Sequence, residues 1–562
     1  MTVGPYVGGA RSLAEVLSDA LVQHKSREAL IEADRKREVS RWTYLAFDRA
    51  GRAITRRLQD AGIGADDRVA ILCTNQPGWL LAAHAVFQRG AVLVPLDYKL
   101  EPHEQRALLD HARPALVVVE YPIWRKLGDL GAVLVWVIGA PEGVDLGRAE
   151  RFEALPEGEG DRVPRTRDDL AAIVYSSGTG GRAKGCMLTH GAYLSQLGAL
   201  LERFPMAPGD RYFSVLPTNH AIDFMVGFVG PLVCGATVVH QRTLRPEMLR
   251  FTLQRYEITH MAVVPLLLTA FDRAVREKLD ALPGWQRQAV DALTEVNASL
   301  TARGPNHALS SRLLAPVHAA FGGKLRLLFC GGAFTERGPV ERFAKLGIPV
   351  VIGYGLTEAC TVVTVNGTAP IRSDSVGSPV DGVEVEIADP DADGVGEVVV
   401  RGPTVMRGYL DDPELTAETI RDGWLHTGDL GWFDASRHLH LCGRLKDVIV
   451  TAGGKNVYPE DVEFAFAGVD AEEVAVFAAN TVWPSRSMVG EQLVLVVRPK
   501  DVPVPQLLPA LKERNLALPS HKRVAGVLPW DPAFPRTASM KVKRSELARS
   551  LAAVDRDQLL PL

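Results

Sequence analysis

The chain has 562 residues, 47% of them hydrophobic and 23% charged, with a net charge of −4. That length exceeds what one hydrophobic core serves, so two or more domains are expected, and the small acidic surplus, with no long run of one sign, argues against a nucleic-acid or membrane-surface role driven by bulk charge. The N-terminal MTVGPYVGGARSLAEVLSDAL lacks a basic segment followed by an apolar one, so no secretory signal is read there. Six cysteines (Cys73, Cys186, Cys234, Cys330, Cys360 and Cys442) form no C-x-x-C pair, which favours buried free thiols in a reducing cytoplasm over a disulfide framework or a zinc site.

From about residue 68, short apolar runs alternate with longer amphipathic ones: RVAILC, WLLAAHAVFQRG, VLVPL, EPHEQRALLDHA, ALVVVE. AAIVYSS, GAYLSQLGALLERF, HMAVVP, LRLLFCGG and VVIGYG continue the series. Continuous apolar strands with helices between them predict buried parallel sheet in a layered α/β architecture. Residues 212–240 carry one formal charge, Asp223; their Pro, Asn and His count against a transmembrane segment and predict a buried helix lining an apolar pocket. Residues 272–318 read as a helical excursion. Around residue 380, VEVEIA, GEVVVRG and HLHLCG predict a β-rich subdomain over about 365–445. Beyond 446, PEDVEFAFAG, EVAVFAA, QLVLVVRP, LPALKERN and SELARSLAA predict a compact α+β domain. The expected fold is α/β: a large N-terminal domain over 1–445, built of layered α/β subdomains plus the β-rich one, and a small C-terminal domain over 446–562.

The densest chemical signal is YSSGTGGRAKGC, Tyr175 to Cys186. It is not a P-loop, because Lys184 is followed by Gly185 rather than by a hydroxyl. It lies between the AAIVYSS strand and the helix that begins at THGAYLSQ. Backbone N–H groups of Gly178, Gly180 and Gly181, hydroxyls of Ser176, Ser177 and Thr179, and the charge of Lys184 together suit phosphate oxygens. Downstream stand GGAF (Gly331 to Phe334), GYGLTE (Gly353 to Glu358), WLHTGDLG (Trp424 to Gly431), GRLKD (Gly443 to Asp447) and PRTASMKVKR (Pro535 to Arg544).

In order and spacing these motifs resemble the adenylate-forming superfamily, which contains acyl-CoA synthetases, the adenylation domains of peptide synthetases and beetle luciferase. The likeness runs from WTYLAFDRAG, near Trp42, to the final helix. It implies a two-step reaction in which a carboxylate attacks the α-phosphate of ATP, and a thiol, usually that of coenzyme A, then displaces AMP. On this resemblance, Ser176 to Lys184 would hold the β- and γ-phosphates. Glu358 would help to bind Mg2+, Thr357 would bond the α-phosphate region, and Tyr354 would offer adenine an aromatic face, with Gly355 beside it and Gly332 and Ala333 opposite. Asp429 and Arg444 would take the ribose hydroxyls. Lys541 would stabilise charge at the carboxylate and α-phosphate, and His220 would stand beside the acyl carboxylate. Lys446 would be the hinge on which a mobile C-terminal domain turns between the two steps, bringing Gly453 and Gly454 to the pantetheine arm.

The chain departs from the usual pattern at Ser176 and Gly180, where threonines are common, at Ala183, where proline is frequent, and at Met540, where glycine commonly precedes the lysine. Among the branches, the helical excursion and TAGGKNVYPEDVE look most like fatty acyl-CoA ligases, and Phe213 to Val239 could line a hydrocarbon tunnel. Aryl, branched or polyketide-like acids, a stand-alone ligase loading the phosphopantetheine of an acyl carrier protein, and a catalytically weak nucleotide-binding relative stay open beside that reading. The partner expected throughout is a small-molecule carboxylic acid, with no nucleic acid.

Overall fold

A computed structural model describes residues 4–176, 184–450, 456–483, 492–536 and 542–562. The chain forms two compact units, Met1–Val385 with Val400–Leu425, and Glu386–Val399 with His426–Leu562. It passes from one unit to the other inside the strands Glu384–Ala388, Gly396–Arg401 and Trp424–Phe433.

Among the described residues, two sheets lie wholly within the larger unit. The nine-stranded one runs Ser378–Pro379, Thr364–Val365, Val350–Tyr354, Leu327–Gly331, His260–Val263, Arg211–Ser214, Thr237–Gln241, Glu28–Asp34, Arg37–Thr43. From Val350–Tyr354 to Glu28–Asp34 every neighbouring pair is parallel. These strands are covered on both faces, which is why they read as unbroken apolar runs rather than as alternation. One face packs Phe213, Met261, Leu328 and Ile352 against Leu253, Phe321 and Phe343. The eight-stranded sheet runs Gly408–Tyr409, Lys184–Thr189, Leu170–Ser176, Val92–Pro95, Arg68–Leu72, Leu116–Glu120, Leu134–Ile138, Glu150–Arg151. The helix Pro77–Gln88 is buried at every position except Gly78, so its sequence is apolar all round.

Two expectations for this unit are corrected. The glycine-rich stretch does not lead from a strand straight into a helix. Lys184–Thr189 is itself a strand, antiparallel to Leu170–Ser176, with Ser176 opposite Lys184; the helix begins only at His190, capped by the Thr189 hydroxyl. The two strands are therefore the arms of a hairpin. A strand as short as KGCMLT carries too weak a period-2 signal to stand out beside the glycines. Residues 212–240, in turn, are not one helix lining a pocket. They are the strand Arg211–Ser214, the helical turns Ala221–Asp223, Phe224–Val229 and Gly230–Val233, and the strand Thr237–Gln241. Pro217 and Gly235 break the helical run at either end. The aromatic side chains pack as solid core: Phe224 meets Trp79, Phe87, Tyr193 and Phe228 at ring-centroid distances of 5.1–6.2 Å. A cavity beside Met225, Val226 and Gly230 measures only about 20 Å³, far short of the several hundred Å³ that a ligand pocket takes.

The smaller unit holds a four-stranded sheet in the order Ala471–Ala478, Leu493–Pro499, Val524–Pro529, Leu560–Pro561. Its period-2 alternation feeds two cores. Val476, Leu495 and Val497 face the helices Pro459–Ala465 and Val504–Ala517, while Phe477, Val494 and Val496 face the helix Arg544–Leu551. A large α/β unit followed by a small α+β one is the architecture expected from the sequence. All six cysteines are free and buried, and no helix among the described residues is long and apolar enough to cross a membrane.

Candidate active site

Several predicted residues of the larger unit follow the C-terminal ends of parallel strands. In the nine-stranded sheet, Leu327–Gly331 delivers Gly332 and Ala333, its parallel neighbour Val350–Tyr354 delivers Thr357 and Glu358, and Arg211–Ser214 leads to His220. Open parallel sheets place ligands at this edge, where successive loops splay apart. Gly332 has φ +85° and open space where a side chain would project, and both it and Ala333 are exposed, a flat floor of the kind a base can lie on. Tyr354 is buried at the end of its strand. Gly355 answers to packing: a methyl group there would overlap the Thr361 carbonyl oxygen. Thr361 itself stands at φ 104° after Cys360 at φ 54°, so the turn behind Glu358 is held in a costly conformation.

Glu358 is the best-held polar side chain of this edge. Its Oε1 accepts from Ser176 Oγ at 2.9 Å and from the Tyr409 hydroxyl at 3.1 Å. Tyr409 arrives on the strand Gly408–Tyr409, paired with Lys184–Thr189 so that Tyr409 lies opposite Cys186. Lys184 Nζ sits 5.2 Å from the centre of the Tyr409 ring. Burial and the Glu358 carboxylate hold the Tyr409 hydroxyl well above its ordinary pKa, so it stays protonated and donates. The Cys186 thiol is pushed up by burial and by Glu358, which makes it unreactive.

His220 lies across from Asp97, which follows the strand Val92–Pro95. His220 Nε2 and Asp97 Oδ2 are 3.8 Å apart, too far for a hydrogen bond, and both atoms are buried without a partner among the described residues. Asp97 Oδ1 accepts from the Lys99 N–H at 2.9 Å. Burial lowers the pKa of His220 against the pull of the Asp97 carboxylate, and Lys99 lowers it further, which favours the neutral imidazole.

In the smaller unit, Asp429 and Arg444 face each other across an antiparallel pair, with Arg444 Nε 2.8 Å from Asp429 Oδ1. The turn before Asp429 is built by Gly428 at φ +69°, whose N–H donates to Glu397 Oε1 at 3.0 Å, and by Thr427 Oγ1, which accepts from the Asp429 N–H at 3.0 Å. Lys446 is exposed on the turn Leu445–Asp447. Ser177, Gly178, Thr179, Gly180, Gly181, Gly453, Gly454 and Lys541 lie outside the described residues. The flanks of Lys541 are anchored: Arg536 bridges to Val542 and donates to the half-buried Glu473 at 2.5 Å, and Arg544 donates to both oxygens of Glu463 at 2.7 and 2.8 Å.

A family model described as "AMP-binding enzyme" matches residues 17–410. Feruloyl-CoA synthase of an Amycolatopsis species is 31% identical over 525 residues, covering 90% of this chain and 93% of that protein. The chain belongs to the AMP-binding enzyme family. It is an AMP-forming ligase of the adenylate-forming superfamily. Another member, 2-succinylbenzoate–CoA ligase of Bacillus licheniformis, is 28% identical, with coverage of 78% and 80%. The fold is shared with the solved anthranilate CoA ligase in complex with anthranoyl-AMP, at TM-score 0.76, 21% identity and coverage of 96% and 97%.

The Mg2+ that such a nucleotide site implies can be tested against Glu358, a single hard carboxylate beside the Lys184 hairpin whose Oε1 is held by Ser176 and Tyr409, and a donor set of this kind fits. Mg2+ is typically bound by one or two carboxylates together with substrate phosphates. Two neighbours of this site, Tyr409 and Asp97, escaped the reading of the sequence. Tyr409 is 51 residues from Glu358 in sequence, and no local pattern in MRGYL announces the contact.

Proposed function

We propose that this protein uses ATP to activate a ring-bearing carboxylic acid and passes the acyl group to coenzyme A. The observation that carries the reading is the shared strand edge, where the Glu358 turn, the Gly332–Ala333 floor and the His220 loop leave the same end of one parallel sheet. In the first step a carboxylate oxygen of the acid bonds to the α-phosphorus of ATP as the bond to pyrophosphate breaks. In the second the thiol sulfur bonds to the acyl carbon, AMP leaves with the former carboxylate oxygen, and the thiol proton goes to solvent. Mg2+ held by Glu358 would supply positive charge to the phosphate oxygens. Lys184 and the hydroxyls from Ser176 to Thr179, with the backbone of Gly180 and Gly181, would hold the departing pyrophosphate, while Thr357 and Lys541 would donate to the α-phosphate as charge builds there. Tyr354, Gly332 and Ala333 would hold adenine, Asp429 and Arg444 the ribose, and Gly453 and Gly454 the pantetheine arm. Neutral His220 would donate or accept a hydrogen bond at the acyl carboxylate.

The choice of acid rests on two supports. The apolar stretch Phe213 to Val239 is filled by its own aromatic packing, which counts against a hydrocarbon tunnel there, and ferulate, succinylbenzoate and anthranilate, the acids in the names of its relatives, all carry rings. Pyrophosphate release across aromatic, alicyclic and straight-chain acids, with and without coenzyme A, tests this. Release with ring-bearing acids and thioester formed on coenzyme A are expected. Preference for straight-chain acids would return the acid to the fatty class, release with thioester formed only on a carrier protein would change the acceptor, and no release with any acid would overturn the reading.

A further inference from the structure

We infer that Tyr409 is a positioning residue that keeps the Glu358 carboxylate and the Lys184 ammonium apart, so that each serves the nucleotide instead of the other. The inference rests on the reading above, in which Glu358 holds Mg2+ and Lys184 holds phosphate. Ser176 and Lys184 are opposite each other on the hairpin, and Ser176 Oγ already touches Glu358 at 2.9 Å. A lysine on that hairpin has the reach to close an ion pair on Glu358, which would neutralise both groups. The Tyr409 side chain occupies both ends of that contact. Its hydroxyl donates to Glu358 Oε1 at 3.1 Å, and its ring face takes Lys184 Nζ at 5.2 Å from the centroid, a cation–π distance. Two donors on one carboxylate oxygen also fix the plane of the group, and with it the direction of the other oxygen.

Equilibrium ATP binding, measured by calorimetry without acid substrate, in EDTA and across a Mg2+ titration, separates the two roles. Tyr409→Phe keeps the ring and loses the hydroxyl. It should raise the Mg2+ concentration for half-maximal enhancement of ATP binding roughly tenfold to a hundredfold, the scale of one hydrogen bond to a charged group, with binding in EDTA unchanged. Tyr409→Leu should weaken binding in EDTA as well, because Lys184 then falls onto Glu358. The double variant Tyr409→Leu, Glu358→Gln should restore binding in EDTA, because the competing carboxylate is gone, a recovery that simple damage to the fold would not give. Thermal unfolding of each variant identifies any that is misfolded, and Tyr409→Phe alone then decides. An unchanged Mg2+ midpoint in Tyr409→Phe, or no recovery in a folded double variant, overturns the inference. Glu358→Gln alone tells the two readings apart: if it leaves the Mg2+ dependence intact, the metal assignment falls and this inference with it; if it abolishes that dependence while Tyr409→Phe does not shift it, only the role of Tyr409 falls.

Discussion

Asp223 shows how much one residue can carry out of view of the nucleotide. It is fully buried, yet it fastens the loop that ends in His220: Oδ2 accepts from Ser214 Oγ at 2.7 Å and from Thr218 Oγ1 at 3.0 Å. Asn75 fastens the same loop from the other side, accepting from the Thr218 N–H at 2.8 Å and donating to Ser214 Oγ at 3.0 Å. Burial raises the Asp223 pKa from 3.8 to about 7 against those two hydroxyl bonds. The folded protein thus keeps a proton that the unfolded chain releases near pH 4. Stability from this group is full below the unfolded pKa and is lost as pH rises through the folded one. Asp223→Asn should remove that loss, so the variant's melting temperature relative to wild type should climb between about pH 4 and 8. A difference that stays flat over the range would show that the carboxyl does not titrate there. The sequence marked Asp223 only as the one charge in an apolar run; its partners became visible when strand and helix were brought together.

Among the elements, the turn that carries Glu358 is shaped by backbone crowding. The turn from Gly355 to Val362 is closed by Val363 N–H donating to the Tyr354 carbonyl at 2.8 Å, and its interior has no room for a methyl group at Gly355. Gly355→Ala should cost about 1–3 kcal/mol of stability, the range for overpacking, and should raise KM for ATP by displacing Thr357 and Glu358. Denaturant unfolding and steady-state kinetics check this; unchanged values in both would mean that Thr361 yields freely. GYGLTE was legible as a motif, but the reason for its glycine lay in the Thr361 carbonyl, a contact made by the turn folding back on itself. The Lys184 strand was missed for a different reason: its place in the sheet depends on pairing with the distant Gly408–Tyr409 as well as with Leu170–Ser176, and its own six residues carry little pattern.

For the whole molecule, the residues expected to serve the nucleotide are divided between two units: Tyr354, Thr357, Glu358 and Lys184 belong to the larger, Asp429, Arg444 and Lys446 to the smaller. The proposed two-step reaction calls for a different division, a C-terminal domain over 446–562 turning at Lys446, which would leave Asp429 and Arg444 behind. Lys446→Pro locks one backbone dihedral at the hinge and should leave pyrophosphate release near wild type while slowing thioester formation more than tenfold. Lys541→Ala should do the reverse, slowing adenylation by orders of magnitude and sparing thioester formation from supplied acyl adenylate. Half-reaction assays distinguish them, and equal losses in both steps for either variant would remove its assigned role.

The sequence by itself determined the layered α/β architecture and the family, and it supplied the candidates for the nucleotide site. Those depend on hydrophobic periodicity and on short motifs, and both are local. Only the tertiary structure decided that Ser176 and Tyr409 converge on Glu358, that Asp97 faces His220, and that Phe213 to Val239 is packed core. Each of these depends on which side chains meet after strands distant in sequence have been placed side by side, and burial and hydrogen bonding at such contacts leave no period in the chain to read.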